Sequence, residues 1–190
     1  QAAGRWATSA EGEYYAAGVG GSITGRRADL VVIDDPVRSR EDAESETVRE
    51  KVWDWYRADL ITRLKPGAAV VLVQTRWHED DLAGRILEAE GDKRDGGQWE
   101  VIRLPALAEL LDPLGRAPGD ALWPEWEGVE QLERKRSIIG PRDWSALYQQ
   151  RPTAEDGTYF KKEWFRRYTD APERMTIYMS GDFAVTEGDG

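Results

Sequence analysis

Two acids in succession, Asp34 and Asp35, follow directly on the apolar run Leu30-Val31-Val32-Ile33. A short run rich in β-branched residues reads as a strand buried on both faces, and such strands belong to parallel sheets. Open parallel sheets bind their ligands beyond the carboxyl ends of the strands. The pair therefore stands where a nucleotide site needs it, one carboxylate to hold Mg²⁺ and the next to orient an attacking water. An ordinary strand-end turn capped by aspartate would present the same two residues.

A second run, Val70-Val71-Leu72-Val73, ends in Gln74-Thr75-Arg76-Trp77-His78 after one helical crossover. The second strand is expected beside the first, with Gln74 and Thr75 near the same ligand, a position that suits a γ-phosphate sensor. His78 or Glu79 reads more simply as a cap of the following helix than as a catalyst. Arg26 and Arg27 precede the first acidic strand. An arginine there could stabilise phosphate charge in cis or on a neighbouring subunit, although a solvated basic loop is the plainer reading. Near the end, Ile177-Tyr178-Met179-Ser180-Gly181 delivers Asp182 from another apolar strand. A two-metal nuclease site needs several converging carboxylates, so Asp182 alone is a weak signal.

The elements that must position these residues follow from the pattern. Glu13 to Val19 predicts a short strand, and Gly20 to Gly25 a glycine-rich loop. Ser39 with Asp42 fits a capping box. The helix after it carries Val48, Val52, Tyr56, Leu60 and Leu64, with Trp53 and Ile61 widening the stripe, and Pro66-Gly67 is expected to end it. Ala68 to Gln74 is a strand, Asp80 to Glu90 a helix stopped by Gly91, and Trp99 to Leu104 a third strand. The order strand, helix, strand, helix, strand predicts an α/β fold with parallel strands. Pro105 to Gly128 reads as a long wrapped loop, followed by helices over 129–139 and 142–149.

Composition narrows the function. The chain has 190 residues, 40% hydrophobic and 33% charged, which describes a globular protein. Its longest apolar run, Ala68 to Val73, is too short to span a bilayer. With no cysteine and one histidine, disulfides, thiolate zinc sites and histidine-rich metal sites are excluded. The net charge of −10 argues against DNA binding by most of the surface, since nucleic-acid binders usually show a basic footprint. The tryptophans scatter at segment ends, as packing anchors do. Gln1 at one end and the polar stop at Gly190 after an apolar run predict a piece of a longer polypeptide.

Three phrases, in order, resemble the large terminase subunits of tailed bacteriophages. They are Gly25-Arg26-Arg27-Ala28-Asp29-Leu30-Val31-Val32-Ile33-Asp34-Asp35-Pro36, then Thr75-Arg76-Trp77-His78-Glu79-Asp80-Asp81-Leu82, then Pro141-Arg142-Asp143-Trp144-Ser145-Ala146-Leu147-Tyr148-Gln149-Gln150-Arg151-Pro152. The resemblance implies a P-loop NTPase sheet followed by the start of an RNase H-like nuclease. Residues 1–149 would be the C-terminal part of the ATPase motor with its extension, 150–174 a linker, and 175–190 the first nuclease strand.

By that resemblance Asp34 would coordinate the Mg²⁺ of ATP. Asp35 would fall at the catalytic acid position, where the family usually has glutamate, one methylene longer and different in reach by about 1 Å. Gln74 and Thr75 would belong to the motif coupling hydrolysis to movement, Arg26 would be the arginine finger, and Asp182 would be the first ligand of a Mg²⁺ or Mn²⁺ nuclease site.

The implied activity is ATP-driven translocation of double-stranded viral DNA into a procapsid, with endonuclease cleavage of the concatemer. The implied partners are the DNA, a portal protein, a small terminase subunit and further copies in a ring, in the host cytoplasm and without a membrane. No Gly-x-x-x-x-Gly-Lys-Ser/Thr loop occurs in the chain, so these residues alone are expected to be inactive. Another P-loop translocase or helicase fits the acids and the parallel sheet equally well. A non-catalytic docking module built on the acidic helix 42–64 is the reading of a different class.

Overall fold

The computed structural model describes residues 4–153. The strand expected over 175–181, Asp182 and most of the expected linker lie outside the described residues. Four strands and four α-helices are present among the described residues. Strands β1 (Arg5–Ala7) and β2 (Glu13–Tyr15) form an antiparallel hairpin with Trp6 opposite Tyr14. Their rings stack at 5.1 Å, a cross-strand pair that steadies an otherwise marginal ribbon. The strand expected over 13–19 thus ends at Tyr15, and its partner strand carried no apolar signal.

Strands β3 (Ala28–Asp34) and β4 (Leu64–Val73) pair in parallel, with Val31 beside Val70, Ile33 beside Leu72 and Asp34 beside Val73. The mixed α/β class and the parallel pairing are as the sequence predicts. Burial on both faces is not. Val31, Ile33, Val70 and Leu72 face a core of Val52, Tyr56, Leu60, Leu82 and Ile86. Leu30, Val32, Val71 and Val73 point the other way and are 44–59% exposed. Among the described residues the helices cover one side of the sheet, and the period of two along a strand sends alternate residues away from them.

The connection between β3 and β4 departs from one continuous helix. Ser39 caps α1 (Arg40–Glu44) by accepting from the Asp42 amide, as expected. Ser45 then interrupts the chain and caps α2 (Glu46–Asp54) by accepting from the Val48 amide. A wider π turn (Trp55–Leu60) and a 3₁₀ turn (Ile61–Arg63) complete the descent. A four-residue apolar repeat outruns the ~3.6-residue α turn, and the wider turn brings Leu60 back onto the buried face with Val52 and Tyr56. Pro66 and Gly67 do not stop the helix. They lie in an irregularity of β4, where the register jumps from Ala28–Leu64 to Leu30–Ala69 and Gly67 adopts φ +79°. Proline lacks an amide donor and glycine tolerates positive φ, so the pair suits a bulge.

Helix α3 (Leu82–Glu90) packs Leu82 and Ile86 into the same core and stops at Gly91 with φ +75°. The third strand predicted over 99–104 is not formed. Only Trp99 makes a bridge, to Asp92, and Ile102 is 75% exposed. The end of this segment and the residues just after it are held by later side chains. The Gln150 side chain accepts from the Leu104 amide at 3.1 Å and donates to its carbonyl at 3.2 Å. Gln149 treats Leu107 the same way, at 3.1 and 3.0 Å. Two side-chain amides thus satisfy backbone groups that a neighbouring strand would otherwise take.

Residues 105–128 form the expected long loop, crossed by one bridge between Leu107 and Ala121. Arg116 ties it together through Asp112 and the carbonyls of Pro105 and Asp120. Helix α4 (Val129–Asp143) is broken at Gly140, φ +82°, so the two helices expected here are separate in fact. Leu132 from α4 and Trp144 after it pack with Leu107 and Ala121 in a second core. Among the described residues, no helix is long and apolar enough to cross a membrane.

Candidate functional site

The parallel pairing carries the ends of β3 and β4 to one place. Asp35 donates its amide to the Val73 carbonyl at 2.9 Å, and its Oδ1 accepts from the Thr75 amide at 2.8 Å. The acid that follows one strand is therefore fixed to the polar residues that follow the other. Asp35 has φ +40°, a left-handed conformation uncommon for a residue with a Cβ. Such strain collects at functional positions when the surroundings over-determine it. This conformation directs the Asp35 side chain toward the residues that follow β4. Asp34, exposed, lies on the alternating face shared with Leu30 and Val32.

A narrow cleft of about 10 Å³ opens at this end, lined by Asp35, Gln74, Thr75, Arg49, Trp77 and Asp81 among others. That is room for about one water molecule. The Gln74 Oε1 is buried there without a hydrogen-bond partner among the described residues. An orphaned buried acceptor costs free energy and calls for a donor.

Behind the cleft, arginines hold the segment from Thr75 to Asp81. Asp81 is 4% exposed, accepts from Arg76 Nε at 2.6 Å, and caps α3 by accepting from the Gly84 amide at 2.9 Å. Burial pushes its carboxyl above the usual range, opposed by the Arg76 charge. Asp80 beside it behaves oppositely. Arg85 grips both its oxygens at 2.7 Å and Arg49 adds a third contact at 3.0 Å, and these bonds hold its carboxyl below the usual range. Arg85 also pairs with Glu50 of α2 at 2.8 Å. His78 caps locally, its Nδ1 accepting from the Asp80 amide at 3.0 Å, and the actual cap of α3 is Asp81 rather than His78 or Glu79. Sequence reasoning missed this arginine clamp, although Asp80-Asp81 flanked by Arg76 and Arg85 was its visible trace.

Of the residues singled out in the sequence, the structure brings Asp35, Gln74 and Thr75 together, with Asp34 at the same strand end. It does not bring Arg26 to them. Arg26 precedes β3 at the amino end, and the strand rises roughly 20 Å between Ala28 and Asp34. There its guanidinium lies 4.0 Å above the Tyr15 ring and 3.6 Å from Glu13. Asp182 lies outside the described residues.

Among the described residues no three His, Cys, Asp or Glu side chains cluster to hold a metal. Mg²⁺ does not need such a cage when it rides on a nucleotide, because one carboxylate, waters and phosphate oxygens complete its shell. The exposed carboxylate of Asp34 fits that donor set.

Residues 5–167 match a family model described as terminase large subunit, T4likevirus-type, N-terminal. No curated protein matches the chain.

Proposed function

Because this chain belongs to the large terminase subunit family, whose work is viral DNA packaging, we propose that the carboxyl end of the β3–β4 sheet is one wall of an ATP-hydrolysing site that drives DNA translocation. The observation that carries the reading is the hydrogen bond between Asp35 and the Thr75 amide, which joins an acidic strand end to a polar one at the ligand-binding edge of a parallel sheet. The sheet would then be part of a P-loop NTPase fold. The glycine–lysine phosphate loop that the 190 residues lack would come from elsewhere in a complete subunit.

In this reading each residue has a task. Asp34 would hold a Mg²⁺ ion through its exposed carboxylate, and that ion would supply charge neutralisation for the nucleotide's phosphates. Gln74 Oε1 and the free side of the Asp35 carboxylate accept hydrogen bonds from a water in the cleft. That water's oxygen bonds to the γ-phosphorus as the bond to the β–γ bridging oxygen breaks, and Asp35 takes the proton while ADP leaves. Thr75 senses the γ-phosphate, and its amide reports the change to Asp35. Arg26, at the far end of β3, serves the site of a neighbouring copy in a ring. Asp182 begins a Mg²⁺- or Mn²⁺-dependent RNase H-like nuclease that cuts the concatemer. Double-stranded DNA, a portal protein and a small terminase subunit are the partners this assignment entails, in the host cytoplasm.

The test is DNA-stimulated ATP turnover by a complete large subunit bearing this sequence. Asp34→Asn and Asp35→Asn are each expected to lower kcat at least ~100-fold, and Gln74→Ala about 10-fold or more. The 190-residue chain alone is expected to show no turnover above background. Wild-type kcat in both aspartate variants would overturn the assignment.

A further inference from the structure

The β1–β2 hairpin has no part in the sheet that builds the site, yet it holds the side chain of Arg26 from two sides. The Tyr15 ring lies 4.0 Å from the guanidinium carbon, within cation–π range. The Tyr15 hydroxyl donates to the Ser22 carbonyl at 3.0 Å, which ties the hairpin to the glycine-rich loop leading to Arg26. Glu13, one register position from the Trp6–Tyr14 stack, pairs with Arg5 at 2.8 Å and reaches Arg26 at 3.6 Å. The backbone is fixed as well. Ile23 packs against the main core, its carbonyl accepts from the Arg26 amide at 3.3 Å, and Gly25 at φ +77° makes the turn.

We infer that Tyr15 and Glu13 are positioning residues that hold the Arg26 guanidinium for presentation to the nucleotide of a neighbouring copy. The inference rests on the reading of Arg26 given above. A loop arginine samples many rotamers, and one already oriented loses less freedom when it engages a phosphate. The cage leaves the Arg26 side chain 34% exposed and Glu13 51% exposed. Exposed contacts of this kind contribute little to folding. Their removal therefore separates positioning from stability. An arginine that acts on the transition state alone changes kcat and leaves KM for ATP nearly unchanged.

The experiment measures steady-state, DNA-stimulated ATP hydrolysis by the complete large subunit, with thermal unfolding of each variant alongside. Arg26→Ala is expected to lower kcat by about 1,000-fold. Tyr15→Leu, which removes the ring, is expected to lower it about 10-fold with KM within ~2-fold of wild type, and Tyr15→Phe, which keeps the ring, to restore kcat to within ~3-fold. Glu13→Gln, of the same shape without the charge, is expected to lower kcat about 3-fold, and it carries the test if Tyr15→Leu does not fold. Wild-type kcat in Glu13→Gln and in a folded Tyr15→Leu, with Arg26→Ala inactive, would overturn the positioning role and leave the finger reading intact. Equal losses in Tyr15→Leu and Tyr15→Phe would move the effect from the ring to the hydroxyl and overturn the ring's hold on the guanidinium. Full activity of Arg26→Ala would remove the underlying reading, and the inference with it.

Discussion

The two faces of the β3–β4 sheet are made of the same residue types and meet opposite fates. On the inner face, Val31, Ile33, Val70 and Leu72 close against α2 and α3. On the outer face, Leu30, Val32, Val71 and Val73 meet solvent. Residue type therefore does not decide burial here. The helical connection that returns the chain from β3 to β4 does, because it covers one side only. The functional residues divide along the same line. Asp34 continues the outer face, whereas Asp35, turned by its left-handed backbone, joins β4 and the cleft.

The inner face depends most on Ile33, which is 4% exposed. Ile33→Ala deletes buried carbon and leaves a cavity among packed neighbours, so a loss of about 2–5 kcal/mol is expected by urea unfolding. A loss under ~1 kcal/mol would mean that the inner face is not a packed core. Gly84 tests how closely α3 packs on the segment that leads into it. A Cβ built there would stand 1.9 Å from the Glu79 carbonyl oxygen. Backbone oxygen cannot yield as a side chain does, so Gly84→Ala is expected to cost on the order of 1–3 kcal/mol through displacement of α3, seen as a lower Tm. An unchanged Tm would show that α3 sits farther from Glu79.

How much of this was legible follows from which forces act locally. The apolar runs, the Ser39 and Gly91 helix signals and the break before Pro141 are written in short stretches, and the strand ends that present Asp35, Gln74 and Thr75 followed from them. What was hidden depends on distant partners. The expected strand at 99–104 does not form, and its last residue, Leu104, is held by the side chain of Gln150, more than forty residues later. The break at Ser45 lies ahead of the apolar stripe, which begins at Val48 and so carried no trace of it, and the caging of Arg26 required a hairpin with no alternating pattern. Arg26 also shows the limit of adjacency. It stands close to Asp34 in sequence, but an extended strand between them turns that nearness into distance.

Asp80 joins the two inner-face helices through charge, since Arg49 comes from α2 and Arg85 from α3. Arg49 and Arg85 are 11% and 13% exposed while Asp80 is 38% exposed. Asp80→Asn removes the anion from two guanidiniums and is expected to cost about 1–2 kcal/mol at neutral pH, discounted from a fully buried pair for solvent screening. The pH dependence has a definite sign. The folded Asp80 carboxyl sits below its unfolded value near ~3.9, so its contribution is complete above that pH and is lost as pH falls through the folded value. Asp81, raised by burial, contributes the opposite slope, losing its part as pH rises through its folded value. Asp80→Asn should therefore flatten the acid limb of the stability curve below about pH 4, and an acid limb as steep as wild type would show that Asp80 is not clamped.

The outer face gives the smallest expected effect and the strictest test of the contrast. Val32 is 59% exposed and Val71 44% exposed, and they are neighbours across the two strands. Threonine keeps the β-branched shape and the strand preference of valine, while its hydroxyl is hydrated at no cost where water already reaches. Val32→Thr and Val71→Thr should each change unfolding free energy by no more than about 0.5 kcal/mol in the 190-residue chain, an order of magnitude below the upper range for Ile33→Ala one residue away. The same hydroxyl on a covered face would lose hydration without a partner and cost about 1–3 kcal/mol. A loss of that size, growing with protein concentration in sedimentation and unfolding experiments, would mean that copies of the chain bury this face against each other in solution. A small loss, independent of concentration, would leave the returning helices, among the described residues, as the reason that one side of the sheet is core and the other surface.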